Sequence, residues 1–310
     1  MTLELSIVIP AFNESDRLVA GYERLAPLIE TLEPSSLEVI IVDDGSTDAT
    51  MQRAHEVYGH LEHTRYVQQP ANFGKGAALR LGLSLASGAH VITADADMSI
   101  DPMQFSLFVI ALRESDFVPG SRAVAGHINY DSRLRTVSGE MFNSFVRHYT
   151  RIQVRDTQCG CKALRLGPAR LLAKLAMIDG FAFDVELFYL ADQLNLSVKP
   201  LLITWEDITG SSVRPGKVAR SMLRDIRDIP KTRYENLAIE LAADVSIETI
   251  APLARDVRLP GLVLARGEHD ALLVVGRDGA LGGLGIAEAL SGSLRPTTLG
   301  ELRGRSYEAV

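Results

Sequence analysis

A chain of 310 residues, 46% of them apolar, has the material for one large packed domain and a smaller one, and is neither disordered nor fibrous in composition. Its formal charge of −7 argues against nucleic acid as the main partner, because phosphate backbones reward a basic surface. The only two cysteines, Cys159 and Cys161, cannot build a disulfide framework, and the seven histidines show no zinc-ligand spacing. A reducing compartment and buried, structural thiols are therefore expected. No leader-like segment opens the chain, and no run approaches the ~18–20 apolar residues of a spanning helix. The expectation from these features is a soluble or peripheral protein of the cytoplasm.

The first 120 residues alternate apolar runs with amphipathic segments, which is the pattern of a parallel α/β sheet. Leu5 to Pro10 and Val39 to Val42 read as buried strands, Thr64 to Gln68 as a third and His90 to Ala94 as a fourth. Between the first two, Leu18, Tyr22, Leu25, Leu28, Ile29 and Leu32 recur at helical spacing. Asp101-Pro102 is a helix start, a capping carboxylate followed by proline. Leu201 to Trp205 predicts a further strand. From Leu241 to Val310 lysine is absent and glycine concentrates over 279–285, so a boundary is expected between 235 and 243.

Acidic residues sit where two of these strands end, in Asp43-Asp44-Gly45-Ser46-Thr47-Asp48 and in Asp95-Ala96-Asp97. Open α/β sheets bind ligands at the carboxyl ends of their strands. Two carboxylates at i and i+2 can share one hard cation that also holds substrate phosphates. Taken singly, these aspartates read equally well as helix caps or turn formers. Lys75, flanked by glycines, suits either a phosphate-approaching loop or a helix start, and Trp205 either core or contact.

Ser6-Ile7-Val8-Ile9-Pro10-Ala11-Phe12-Asn13-Glu14, the Asp43–Asp48 run, Asn72-Phe73-Gly74-Lys75-Gly76 and Asp95-Ala96-Asp97 resemble glycosyltransferase family 2. Gly120-Ser121-Arg122, Arg155-Asp156-Thr157-Gln158-Cys159-Gly160, Phe183-Asp184-Val185-Glu186 and Trp205 are similar to its dolichyl-phosphate β-glucosyltransferase branch. The resemblance runs in order over roughly residues 4–234. It implies an α/β, Rossmann-like GT-A domain binding a nucleotide sugar, placed at 1–237. A small α+β domain at 243–310 would follow; its segments 245–250, 271–279 and 281–285 weakly resemble half of a CBS module.

The same resemblance implies inverting transfer of a hexose, glucose from UDP-glucose first and mannose from GDP-mannose next, to a polyprenyl phosphate, with Mg2+ or Mn2+. Pro10, Ala11, Phe12 and Glu14 would line the base pocket, and Val42 and Asp44 would complete it. Lys75 and Ala96 would flank the nucleotide sugar, Asp95 would lie beside ribose and metal, and Asp97 would ligate the metal. Arg122 would meet the diphosphate or sugar. Arg135, twenty residues before Arg155, would hold the acceptor phosphate. Where the branch reads Gly-Ser-Lys this chain has Gly210-Ser211-Ser212, and Arg214 or Lys217 is the candidate replacement.

Arg220, Arg224, Arg227 and Lys231 share one helical face, with Met222, Ile226 and Ile229 opposite. Such a segment suits an anionic membrane surface, or a helix packed on the domain with its arginines in water. A homodimer stays open. Two other functions remain at this point: transfer to a soluble hydroxyl, with Glu186 or Asp156 as base, and a non-catalytic nucleotide-sugar sensor.

Overall fold

The computed structural model describes residues 3–122, 133–154, 156–194, 196–206 and 215–231, with strands at 238–241, 263–266, 271–275 and 281–286. Side chains within 133–150 and 215–228 are described from Met141 and Ala219 onward. The chain divides into two compact units: residues 1–189 with 197–230, and residues 190–196 with 231–310.

In the first unit, the apolar run of β1 (Leu5–Ala11) is buried on both faces, as the interior of a parallel sheet requires. It pairs in parallel with β2 (Leu37–Asp43) and β4 (His90–Thr93), placing Leu5 opposite Leu37 and His90. β3 (Thr64–Gln68) extends the parallel half beyond β2. On the other side β6 (Lys162–Arg165) runs antiparallel to β4 and to β5 (Phe117–Ser121), and β7 (Leu201–Leu202) closes the edge. The order is β3-β2-β1-β4-β6-β5-β7. Crossover helices α1 (Ser15–Ile29), α2 (Thr50–Tyr58) and α3 (Lys75–Leu85) connect the parallel strands. Helices α4 (Phe105–Ala111), α5 (Arg133–Thr150), α6 (Leu166–Leu175), α7 (Phe183–Gln193) and α8 (Pro215–Asp228) follow in chain order.

The chain leaves β1 for one side of the sheet and returns through β4 on the other. That reversal opens a crevice at the carboxyl ends of β1, β2 and β4, where ligands of such sheets bind. The core is apolar, with Ile7, Ile9, Val39, Ile41, Leu18, Leu25 and Phe108 essentially without solvent contact.

The strands expected at the start of the chain are all present, and Asp101 caps a 3-10 turn at Pro102–Gln104 through the Met103 amide. One expected strand is shorter. Of Leu201–Trp205 only Leu201–Leu202 is strand, because Trp205 leaves it to bridge Ile100. Cys159 and Cys161 are buried free thiols, as anticipated. In α8, Ile226 is buried while Arg220, Arg224 and Arg227 are exposed, as the helical spacing requires.

The second unit contains a sheet in the order β11-β10-β9-β8. β8 (Ala238–Leu241) is parallel to β9 (Val263–Arg266), whereas β10 (Ala271–Val275) is antiparallel to β9 and to β11 (Leu281–Ile286).

Candidate functional site

Each strand end in the crevice delivers a carboxylate, and local chemistry fixes its direction. At the end of β2, Asp43 turns inward, accepting hydrogen bonds from the Ser46 amide (3.1 Å) and the Gln68 amide group (2.9 Å). Asp44 accepts from the backbone N–H groups of Phe73 and Gly74, both at 2.8 Å, so it fastens the glycine-flanked loop ahead of Lys75. Gly74 has φ of +117°, and a Cβ there would meet the Asp179 carbonyl, so glycine is required. Burial pushes the Asp44 carboxyl above its ordinary value against the pull of those two amides.

After β1, Asn13 adopts φ of +54° and ties the two loops together, its side-chain oxygen accepting from the Thr47 N–H at 2.9 Å. The next residue, Glu14, is partly buried at the start of α1, and burial raises its carboxyl against the opposing charge of Arg17. Phe12 is 36% exposed on the crevice rim, while Pro10 is half-buried and Ala11 and Val42 are buried beneath it.

Beyond β4, Asp95 and Asp97 each meet a cation of the chain. Lys75 Nζ lies 2.6 Å from Asp95 Oδ1. Burial opposes ionisation of Asp95, but Lys75 overrides it and holds the carboxyl below the ordinary value. Asp97 is buried; its Oδ1 accepts from the Ser99 N–H (3.0 Å) and hydroxyl (2.6 Å), and its Oδ2 takes the Arg17 guanidinium.

Helix α1 sets that contact. Arg17, Gly21 and Arg24, at spacings of four and three, share one face over the Asp95–Met98 segment. A Cβ at Gly21 would stand 1.9 Å from the Ala96 carbonyl oxygen, so only glycine lets the helix approach this closely. Arg24 Nε donates to the Met98 carbonyl at 2.8 Å.

The antiparallel half contributes two more pairs. Arg122, just after β5, grips Asp156 bidentately (2.8 and 2.9 Å) and lies 5.5 Å from the centre of the Trp205 ring. Burial opposes ionisation of Asp156, yet the Arg122 hydrogen bonds hold its carboxyl below the ordinary value. Lys162, in β6, and Asp184, in α7, are both buried and lie 2.7 Å apart; Lys162 also donates to the Cys159 carbonyl. That carbonyl anchors the loop carrying Gly160, whose Cα faces the Asp95 carboxylate. A pocket lined by Asp95, Ser99, Ile100, Gly160 and Trp205 opens beside it.

Pro10, Ala11, Phe12, Glu14, Val42, Asp44, Lys75, Asp95, Ala96 and Asp97 thus gather around the ends of three adjacent strands. Arg122 reaches the same region from β5. Arg135 belongs to α5, but its side chain lies outside the described residues, as do Arg155, the 210–212 segment and Arg214. Glu186, weighed as a base, is fully buried and accepts three hydrogen bonds from the Met177 and Ile178 amides, so it braces a loop instead. Asp156 is likewise engaged by Arg122.

Sequence reading missed Arg17 and the Lys162–Asp184 pair. The available signals were faint: a basic-glycine-basic stripe beside the apolar face of α1, and one lysine inside the otherwise apolar Cys161–Leu164 stretch.

A model of glycosyl transferase family 2 matches residues 6–171. The dolichyl-phosphate beta-glucosyltransferase of Drosophila melanogaster is 33% identical over 243 residues, which are 73% of this chain and 74% of the relative. The mouse protein of the same name is 32% identical, with 69% and 71% covered. Among solved structures, glucosyl-3-phosphoglycerate synthase from Mycobacterium tuberculosis, in complex with Mn2+, UDP and glucosyl-3-phosphoglycerate, aligns with a TM-score of 0.56. That alignment covers 74% of this chain and 78% of the other at 21% identity. The shared architecture is the GT-A-like fold that the sequence resemblance implied.

Proposed function

The chain belongs to glycosyltransferase family 2, and from that premise we propose that it moves glucose from UDP-glucose to a polyprenyl phosphate with inversion at the anomeric carbon. Two supports converge on this reading: the dolichyl-phosphate beta-glucosyltransferases among its relatives, and the pair Asp95–Asp97 beyond β4 in the crevice. The carboxylate pair is the observation that carries it.

The donor set suits Mg2+ or Mn2+. It offers hard carboxylate oxygens from Asp97 and Asp95, and among the described residues no cluster of three His, Cys, Asp or Glu side chains forms a complete site. A cation here would take its remaining ligands from diphosphate oxygens and water, which is the habit of Mg2+. When bound, it neutralises charge on the departing diphosphate.

The chain's own residues do the rest. Phe12, Glu14 and Asp44 hold the base and ribose, with Pro10, Ala11 and Val42 beneath them. Lys75 fixes Asp95, and Ala96 spaces the two carboxylates. Arg122, pre-oriented by Asp156 and Trp205, faces the diphosphate or sugar with donors already in place. Arg135 on α5 receives the acceptor phosphate. A phosphate monoester with second pKa of about 6 is largely ionised at neutral pH and attacks with little help from a base. The engagement of Glu186 and Asp156 agrees with that, whereas a hydroxyl acceptor would need one of them free.

Transfer is assigned to residues 1–237, with the second domain as an accessory. None of the described helices is long and apolar enough to cross a membrane. The exposed Arg220, Arg224 and Arg227 on α8 supply a basic face for anionic lipid, each cation contributing about 1 kcal/mol near such a surface. The test is to offer radiolabelled UDP-glucose, GDP-mannose and other nucleotide sugars with polyprenyl phosphate. Label from UDP-glucose should enter the organic phase; label only from GDP-mannose, or only in water-soluble products, would overturn the assignment.

A further inference from the structure

Arg17, itself only partly buried, covers the Oδ2 oxygen of the buried Asp97. The carboxylate of Asp97 has almost no solvent exposure, and both of its oxygens are engaged: Oδ1 by Ser99, Oδ2 by the Arg17 guanidinium. The same guanidinium straddles Glu14, with Nη1 3.0 Å from each of its carboxylate oxygens. One cationic side chain therefore bridges a carboxylate of the base pocket and the carboxylate assigned to the metal. Its Nε is buried without a hydrogen-bond partner, so the bridge leaves one donor unsatisfied and is poorer than a fully paired arginine. Helix α1 itself has little room to shift, because Gly21 lies against the Ala96 carbonyl and Arg24 holds the Met98 carbonyl. Exchange must come from the side chain.

Resting on the reading of Asp97 as the metal ligand, we infer that Arg17 is an internal competitor for that carboxylate and couples divalent-cation binding to nucleotide binding. A cation reaching Asp97 must displace the guanidinium. A nucleotide that engages Glu14 removes one of the two carboxylates restraining Arg17, and the second displacement becomes easier. The coupling is reciprocal: whatever nucleotide does for cation affinity, cation does for nucleotide affinity. The cation would then enter with the diphosphate and not ahead of it.

The experiment follows free Mn2+ by electron paramagnetic resonance, with and without UDP, for the wild type, R17Q, R17K and D97N, each checked for folding by circular dichroism. R17Q should bind Mn2+ alone about tenfold more tightly than the wild type, and the enhancement by UDP should shrink by a similar factor, within the about 5–150-fold range of such couplings. R17K keeps the charge but not the two-pronged reach, and should fall between the two. Should R17Q fail to fold, R17K carries the comparison, and any tightening above about threefold supports the inference. Unchanged or weaker Mn2+ binding in the folded Arg17 variants, with binding still lost in D97N, overturns the role of Arg17 and leaves Asp97 in place. Mn2+ binding with UDP that D97N does not weaken, or that the wild type lacks, overturns both.

Discussion

A Cβ on Gly160 would stand 2.1 Å from a carboxylate oxygen of Asp95. The obstructing atom is the tip of a side chain, not backbone, so the strain of an added methyl is relieved by moving that carboxylate. Gly160→Ala should therefore keep its stability within about 1 kcal/mol, below the usual range for overpacking, yet lose activity by about ten- to a hundredfold. Urea midpoints and kcat on one preparation decide the matter, and full activity would show that the position of Asp95 is not critical.

Asp97→Asn retains the shape of the side chain and the hydrogen bonds from Ser99, so it should fold. Loss of a charged ligand removes several kcal/mol of charge neutralisation, and kcat should fall on the order of 10²–10⁴. A titration with Mg2+ and Mn2+ checks whether metal dependence disappears with it. Retention of half the turnover would remove Asp97 from the metal site.

Arg135→Ala should raise KM for polyprenyl phosphate about ten- to a hundredfold while KM for the nucleotide sugar stays within twofold, since a charge-assisted phosphate contact contributes about 1.5–3 kcal/mol. Arg135→Lys should recover part of the loss. An unchanged acceptor KM would exclude this residue from the acceptor site.

The Lys162–Asp184 pair is buried on both sides, so removing one partner strands the other. Lys162→Met should destabilise the protein by about 3–5 kcal/mol, and the double variant Lys162→Met with Asp184→Leu should regain more than half of that. Denaturation midpoints of the two variants test it. Equal midpoints would mean that the charges are not coupled.

Burial pushes the Cys159 thiol from an ordinary 9.0 up to about 11, and Cys161 is raised in the same way. In the folded protein the thiol keeps its proton after the unfolded chain has lost it. The associated stability is complete below pH ~9 and is lost as pH rises through about 11, about 2–3 kcal/mol from Cys159. Unfolding free energies measured from pH 8 to 11 should decline, and the decline should be shallower in Cys159→Ala.

The parallel half of the sheet was legible because β1, β2 and β4 are largely buried on both faces and so carry apolar runs, interrupted only by buried polar residues such as Ser6 and Glu38. The antiparallel half was not. β5 reads Phe117-Val118-Pro119-Gly120-Ser121, where proline and glycine disguise a strand, and β6 places Lys162 and Arg165 at its two ends. In the crevice, Asp95, Asp97 and Arg122 were legible as candidates because their neighbours along the chain form recognisable motifs. Arg17 was not, since its partner lies 80 residues away and the link exists only through space. The same holds for Glu186, whose adjacency to a motif suggested chemistry while its three backbone hydrogen bonds give it a bracing role.

The pairing of Lys75 with Asp95, Arg122 with Asp156 and Lys162 with Asp184 gives the crevice its own counter-charges at contact distance. Dissolved ions screen charges over about 8 Å at physiological ionic strength, too far to intervene within such partly or wholly enclosed pairs. The arginines of α8 stand in open solvent, and even the pair that Arg227 makes with Asp228 at 3.1 Å is exposed on both sides. On the proposed docking of this face to anionic lipid, raising the salt concentration should leave the turnover of bound substrates almost level while it releases the protein from anionic vesicles, so that recruitment and chemistry would answer to different properties of the surrounding solution.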